Sequence, residues 1–177
     1  MNYKMPDLGF MAMAFEFKIR DFLKPRRDVV KEIGIKEGFQ VLDFGCGPGS
    51  YVKATVDLVG RAGKLYALDI NPTAIQMVKR IAEKNHLANV NTILSDCKTG
   101  LPDESIDVVM LYDTFHDLTN QDTVLAELHR VLKPNGMLSF SDHHLTEDEI
   151  VSRVANKGLF RLLRKGENTH SFVKRTA

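Results

Sequence analysis

The chain has 177 residues, of which 44% are apolar and 27% charged, with a net charge of +1. That length suits one domain of about 100–200 residues, large enough to bury a core without disulfide or metal staples. The near-zero charge excludes a whole-molecule pull toward nucleic acid or anionic membrane, and two cysteines, Cys46 and Cys97, exclude a disulfide scaffold or a four-cysteine zinc site.

Residues 1–37 read as a helical extension rich in Met and Phe, with apolar positions at Phe15, Ile19, Phe22 and Leu23. The strip Leu8–Phe15 ends in the small-x-small pattern Ala12-Met13-Ala14, but Asp7 and Glu16 confine it to eight residues. That is short of the ~18 of a membrane span, and with a single lysine before it and acids on both sides it is not expected to be a secretory signal. A reducing, cytoplasmic compartment is expected.

From residue 38 to 157 strand and helix signals alternate. Val41–Phe44, Lys64–Asp69, Asn89–Leu94, Ile106–Tyr112 and Met137–Ser141 are short apolar runs, the pattern of strands covered on both faces. Asn71–Lys84 carries Ile75, Val78 and Ile81 on one helical face, with Pro72 at the first turn behind a capping Asn71. Asp122–Lys133 carries the stripe Val124, Leu125, Leu128, Val131, Leu132, and Pro134-Asn135-Gly136 is expected to stop it. Thr146 and the acidic turn Glu147, Asp148, Glu149 open a helix over 146–157. Leu159–Leu163 and Ser171–Lys174 flank the turn residues 165–168 and read as a closing antiparallel hairpin over 158–177. The order predicts an α/β fold with a mostly parallel sheet and helices on both faces. Seven basic residues against Glu167 give residues 153–177 a local +6. A solvated, guarded sheet edge accounts for them, and nucleic acid is disfavoured because no aromatic residues interleave.

Val41-Leu42-Asp43-Phe44-Gly45-Cys46-Gly47-Pro48-Gly49-Ser50 is the most informative segment. A strand runs into three alternate glycines, and a helix follows. Glycine permits the tight turn and close backbone approach of a ligand, and the helix N-terminus offers N–H groups to an anion. The dinucleotide fingerprint would need a third glycine at position 50, which is Ser50, and Pro48 removes a loop N–H. A nicotinamide-dependent oxidoreductase is disfavoured on both counts. Asp69 ends the second strand twenty residues beyond Gly49, where a carboxylate accepts two ribose hydroxyls. Asp96 ends the third, where an adenine edge would fall.

With Ala67–Pro72, Ser95–Cys97, Asp107–Leu118 and Leu125–Leu138, this segment resembles the class I S-adenosylmethionine-dependent methyltransferases, of the type-11 group that includes ubiquinone/menaquinone-biosynthesis-like enzymes. The likeness covers roughly residues 38–145. It implies a Rossmann-like seven-stranded sheet with an antiparallel last strand, S-adenosylmethionine as cofactor and S-adenosylhomocysteine as product. It also implies that Gly45, Gly47 and Gly49 hold the methionine part, with Cys46 beside the cofactor, and that Asp43 reaches its amino group. Asp69 would bind ribose, Ile70 would pack on adenine, and Asp96 with the Cys97 backbone would meet the adenine edge. The Tyr112 backbone would face the methionine amino group.

Many relatives carry a substrate cap after the fifth strand; here only Asp142–Leu145 intervenes. Phe10, Met11, Met13, Phe15 and Phe17 are therefore expected to close the site. His116, on the loop after the fourth strand, is the candidate base, and His143 and His144 follow Asp142 at the end of the fifth. The His116, Asp142, His143, His144 spacing matches no dedicated ligand motif, so no metal is expected. The expected partner is a small-molecule acceptor of unspecified class, with no membrane; a homodimer is left open. A non-catalytic nucleotide-binding or interaction protein, or an RNA or protein methyltransferase, remains the alternative.

Overall fold

In the computed structural model, residues 7–24 and 26–175 are described. Two helices lead, α1 (Asp7–Leu23) and α2 (Arg27–Ile33), followed by β1 (Gln40–Phe44), α3 (Val52–Val59), β2 (Lys64–Asp69), α4 (Pro72–Lys84) and β3 (Val90–Leu94). Then come β4 (Ile106–Tyr112), a single 3-10 turn at Phe115–Asp117, α5 (Gln121–Val131), β5 (Leu132–Ser141), α6 (Glu147–Ala155), β6 (Phe160–Lys165) and β7 (His170–Lys174). The strands form one seven-stranded sheet in the order β3-β2-β1-β4-β5-β7-β6. β1 to β5 are parallel, and β7 runs antiparallel between β5 and β6.

Alternate side chains of the central strands face opposite layers. Val41, Leu65, Val108 and Met110 pack with Val30, Ile33, Val52, Val56, Val59 and Val78 from α2, α3 and α4. Leu42, Val109, Leu111, Leu138 and Phe140 pack with Val124, Leu125, Leu128, Val131, Ile150 and Val154 from α5 and α6. Asn71 caps α4 by accepting from the Thr73 N–H at 2.9 Å, ahead of Pro72. Thr146 and Glu149 close a reciprocal capping box on α6.

One boundary differs from the sequence reading. α5 ends at Val131, and β5 begins at Leu132, five residues before the expected start. Leu132 lies opposite Ile106 and Met137 opposite Val108, so residues 133–136 bulge out of the ladder. Leu132 is fully buried as a strand residue and also continues the apolar stripe of α5 in the sequence, which is why its apolar character does not mark the change.

α1 also divides its apolar residues unexpectedly. Phe10 and Ala14 are buried against Ala74 of α4, with Met13 and Met77 alongside. Leu8, Met11, Phe15, Ile19, Phe22 and Leu23 are exposed. The 100° helical step separates the two sets, so of the five expected lid residues Met11 and Phe15 point away from the site.

The hairpin turn is held from the other end of the chain. The Glu32 carboxylate accepts from the Asn168 and Thr169 N–H groups, from Asn168 Nδ2 and from Thr169 Oγ1, at 2.9–3.4 Å. Partial burial pushes this carboxyl up, but the donors from Asn168 and Thr169 outweigh it and hold it below the usual range. Glu32→Ala should cost about 1–2 kcal/mol, allowing for its solvent contact. The contribution should be complete above the ordinary carboxylate range and vanish as pH falls through the lowered folded value. Urea unfolding at pH 7 and pH 3 checks this: the variant deficit should shrink at pH 3, and an equal deficit at both would contradict it.

The basic C-terminus is largely paired. Arg153 contacts Glu149, Lys157 Asp122, Lys165 Glu147 and Lys174 Glu104, and Arg164 donates to the Glu32 carbonyl.

Candidate functional site

In the sheet order the chain reverses direction between β1 and β4, and open α/β sheets bind ligands beyond the carboxyl ends of the strands at such a point. A cavity lies there, walled by the ends of β1, β2 and β4 and roofed by α1. Asp43, Gly45, Cys46, Gly47, Asp69, Ile70, Asp96 and Tyr112 line it. Gly49, Cys97 and His116 are not among its lining residues. Sequence reasoning missed Arg20, Tyr51, Asp113, Thr114 and Asp117. Adjacency to strand ends was the available signal for the last three; nothing local marks Arg20 or Tyr51.

The alternate glycines share a left-handed φ of 82°, 51° and 88° and differ in what surrounds them. A Cβ on Gly45 would lie 2.2 Å from Thr114 Oγ1, so Gly45 lets the β4 loop close over β1. A Cβ on Gly49 would lie 2.9 Å from Ile81 Cδ1, so this glycine seats α4 rather than a ligand. Beside Gly47 no atom lies within 4 Å of an added Cβ, which leaves room for close approach from the cavity.

The loop keeps its donors to itself. Gly45 and Cys46 N–H both reach the Leu68 carbonyl, at 2.8 and 2.9 Å. Gly49 N–H reaches the Cys46 carbonyl at 3.1 Å, and Gly47 N–H the Asp69 Oδ2 at 2.9 Å. The anion-binding amides expected from the sequence are thus already engaged from 45 to 49, and Pro48 has none. Asp69 also accepts from the Asn71 N–H at 2.7 Å through Oδ1. It fastens the glycine loop to α4 while retaining acceptor capacity on both oxygens.

Asp43 is almost wholly buried, and its Oδ2 has no hydrogen-bond partner. Burial, and next the Asp69 carboxylate, push it up to about 7. An orphaned carboxylate oxygen on a cavity wall is the acceptor a cationic N–H group requires. Burial also pushes the Asp69 carboxyl up, against the amide donors from Asn71 and Gly47. Between roughly pH 4 and 7 the folded chain holds a proton on Asp43 that the unfolded chain releases. Its contribution therefore makes the ligand-free protein more stable as pH falls from 7 toward 4. Asp43→Asn should flatten that part of the dependence in urea midpoints measured across pH 4–8; the same slope in both proteins would contradict it.

The buried Tyr112 hydroxyl pairs with Ser139 Oγ at 2.7 Å, and its ring meets Tyr51 edge-on at 5.0 Å. Its carbonyl accepts from Thr114 Oγ1 at 2.9 Å. Burial raises both this phenol and the Cys46 thiol, so neither ionises near neutrality. Asp113, in the left-handed region at φ 48°, accepts from the His143 ring at 2.8 Å.

His116 lies in the 3-10 turn between the lining residues Thr114 and Asp117 and does not itself line the cavity. Its Nδ1 lies 2.9 Å from Asp142, whose side chain is fully buried, and its Nε2 lies 3.5 Å from Asp117 Oδ2. His144 stacks between His116 and His143, with centroids 4.1 and 4.0 Å away. Among the described residues no His, Cys, Asp or Glu group of three is arranged to hold a metal ion, and no helix is long and apolar enough to cross a membrane.

A methyltransferase domain family matches residues 35–171. The demethylmenaquinone methyltransferase of Geobacillus stearothermophilus is 32% identical over 119 residues, 67% of this chain and 51% of that protein. The ubiquinone/menaquinone biosynthesis C-methyltransferase of Hydrogenovibrio crunogenus is 28% identical over 142 residues, 79% of this chain and 56% of that protein. The chain spans about half the length of the curated relatives it matches. Among solved structures, an S-adenosylmethionine-dependent methyltransferase from Aquifex aeolicus superposes with a TM-score of 0.77 at 28% identity, over 90% of this chain and 98% of that one.

Proposed function

The chain belongs to the methyltransferase domain family, in the class I, S-adenosylmethionine-dependent group, and from that membership we propose that it methylates a small, largely apolar acceptor and releases S-adenosylhomocysteine. The observation that carries this reading is the unpartnered Asp43 Oδ2 on the cavity wall, matched in charge to the cofactor's ammonium group. Asp69 takes the ribose hydroxyls, Ile70 packs on the adenine, and Asp96 meets its edge, while the Cys97 N–H, donated to Ser95 Oγ at 3.3 Å, stays out of the contact. Gly47 leaves room for the methionine chain.

When bound, the cofactor supplies a methyl group already activated on a sulfonium. The chain's task is alignment and exclusion of water, and alignment is worth ~7–11 kcal/mol of barrier. Phe10, Met13 and Phe17 on the inner face of α1 roof the cavity and form the water-excluding lid, giving the acceptor an apolar wall. His116 is the proposed base for an acceptor that must lose a proton. The curated relatives are a demethylmenaquinone methyltransferase and a ubiquinone/menaquinone biosynthesis C-methyltransferase, and an electron-rich aromatic ring suits an apolar roof over aspartates. We place the enzyme in a reducing cytoplasm, in keeping with two buried, unpaired cysteines.

The test is label transfer from methyl-tritiated S-adenosylmethionine to a short-chain naphthoquinol, a simple hydroxybenzoate, a small amine and bulk RNA. Transfer to an aromatic small molecule, with S-adenosylhomocysteine formed in equal amount, is expected. Transfer to RNA alone would overturn the proposal.

A further inference from the structure

Five aspartates line the cavity, namely Asp43, Asp69, Asp96, Asp113 and Asp117, and among the lining residues Arg20 is the only Lys or Arg. The ligand proposed above ends in an amino acid, so its ammonium finds carboxylates readily while its own carboxylate meets repulsion. An anion at a glycine loop is ordinarily held by backbone amides. Here the amides of residues 45, 46, 47 and 49 already donate within the protein, and Pro48 has none. Residues 45–49 thus leave the counter-charge to side chains.

Arg20 is built for this. It comes from the last turn of α1, and its Nη2 lies 3.3 Å from the hydroxyl of Ser50, the residue after Gly49. Asp21 grips it from one side, at 3.0 Å from Nε and 2.9 Å from Nη2, and the guanidinium lies 4.0 Å over the Phe17 ring. Asp21 is itself tied to Arg26 at 3.1 Å. A planar fork of five donors has more to give than these contacts use, and its geometry matches a carboxylate.

We propose that Arg20, with the Ser50 hydroxyl, is the subsite for the carboxylate of the bound adenosyl amino acid. This rests on the adenosyl reading of the cavity. Because Arg20 belongs to the lid helix and Ser50 to the glycine loop, the carboxylate bridges the two. Binding the amino-acid end then ties α1, which carries Phe10, Met13 and Phe17 on the cavity roof, to the glycine loop and holds that roof in place.

The experiment is calorimetric titration of wild type, Arg20→Ala, Arg20→Lys and Ser50→Ala with two probes. S-adenosylhomocysteine carries the amino acid; 5′-methylthioadenosine keeps the adenosine and thioether and lacks it. Arg20→Ala should weaken S-adenosylhomocysteine roughly ten- to a hundredfold and change 5′-methylthioadenosine by about twofold or less. Arg20→Lys should recover part of the loss, and Ser50→Ala should show a smaller loss confined to the first probe. If Arg20→Ala does not fold, by its ligand-free melting curve, the other two variants carry the same comparison. Equal loss for both probes, or an unchanged affinity for S-adenosylhomocysteine, would overturn the subsite. Wild type that binds neither probe would overturn the adenosyl reading itself, and this inference with it.

Discussion

Asp69→Ala is expected to weaken S-adenosylhomocysteine binding on the order of a hundredfold or more. On the proposed reading, two hydrogen bonds from ribose hydroxyls to a charged acceptor are lost, at ~1.5–3 kcal/mol each. The structure adds a second cause. Asp69 Oδ2 also holds the Gly47 N–H at 2.9 Å, and Oδ1 the Asn71 N–H at 2.7 Å. Its removal frees the glycine loop from the start of α4, so the variant loses preorganisation as well as contacts. Asp69→Asn separates the two effects: the amide oxygen still accepts one of these bonds, and the affinity should fall between wild type and Asp69→Ala. Unchanged affinity in Asp69→Ala, in a protein that still melts cooperatively, would place Asp69 outside the ligand's reach.

The second large effect concerns His116. For an acceptor that carries a proton of high pKa, His116→Ala should lower kcat by roughly 10²–10⁴-fold with little change in cofactor affinity. The geometry gives the reason. A carboxylate only accepts, so Asp142, buried and 2.9 Å from Nδ1, leaves the proton on Nδ1 and the lone pair on Nε2. Asp117, which lines the cavity, faces Nε2 at 3.5 Å; being a hydrogen-bond acceptor itself, it has to swing aside for the Nε2 lone pair to take the methyl acceptor's proton. The ring does not line the cavity, and catalytic contacts of this type often tighten only with substrate bound. Asp142→Asn should slow the reaction too, by favouring the wrong tautomer. Single-turnover rate against pH is the measurement: the wild-type dependence should be lost in His116→Ala, and identical profiles would remove His116 as base.

The sheet was legible because its central strands are apolar on both faces and end in turn residues. Val41–Phe44 followed by Gly45, and Lys64–Asp69 after Gly63, leave little choice of conformation. The 132–136 bulge was not legible, since Leu132 completes a helical stripe as well as it fills a strand position. The same limit applies to the lid. Met and Phe content marks residues 8–23 as important, but which face turns inward depends on α1 docking against Ala74, some sixty residues away. Asp43, Asp69 and Asp96 stood out because strand ends are local features. Arg20, Tyr51 and the pairing of His116 with Asp142 did not, because each depends on segments meeting across the fold. Gly49 shows the reverse case: its glycine signal was real, and its cause is the packing of Ile81 and Val78.

The cavity at the carboxyl ends of β1, β2 and β4 is proposed to hold an adenosyl amino acid and not a dinucleotide. Calorimetric titration of the wild-type chain with S-adenosylhomocysteine, and separately with NAD, tests this most directly. Saturable binding of S-adenosylhomocysteine at one site per chain, weakened in Asp69→Ala and accompanied by proton release below about pH 7 as Asp43 ionises, is the predicted result. Binding of NAD with no heat from S-adenosylhomocysteine would contradict it.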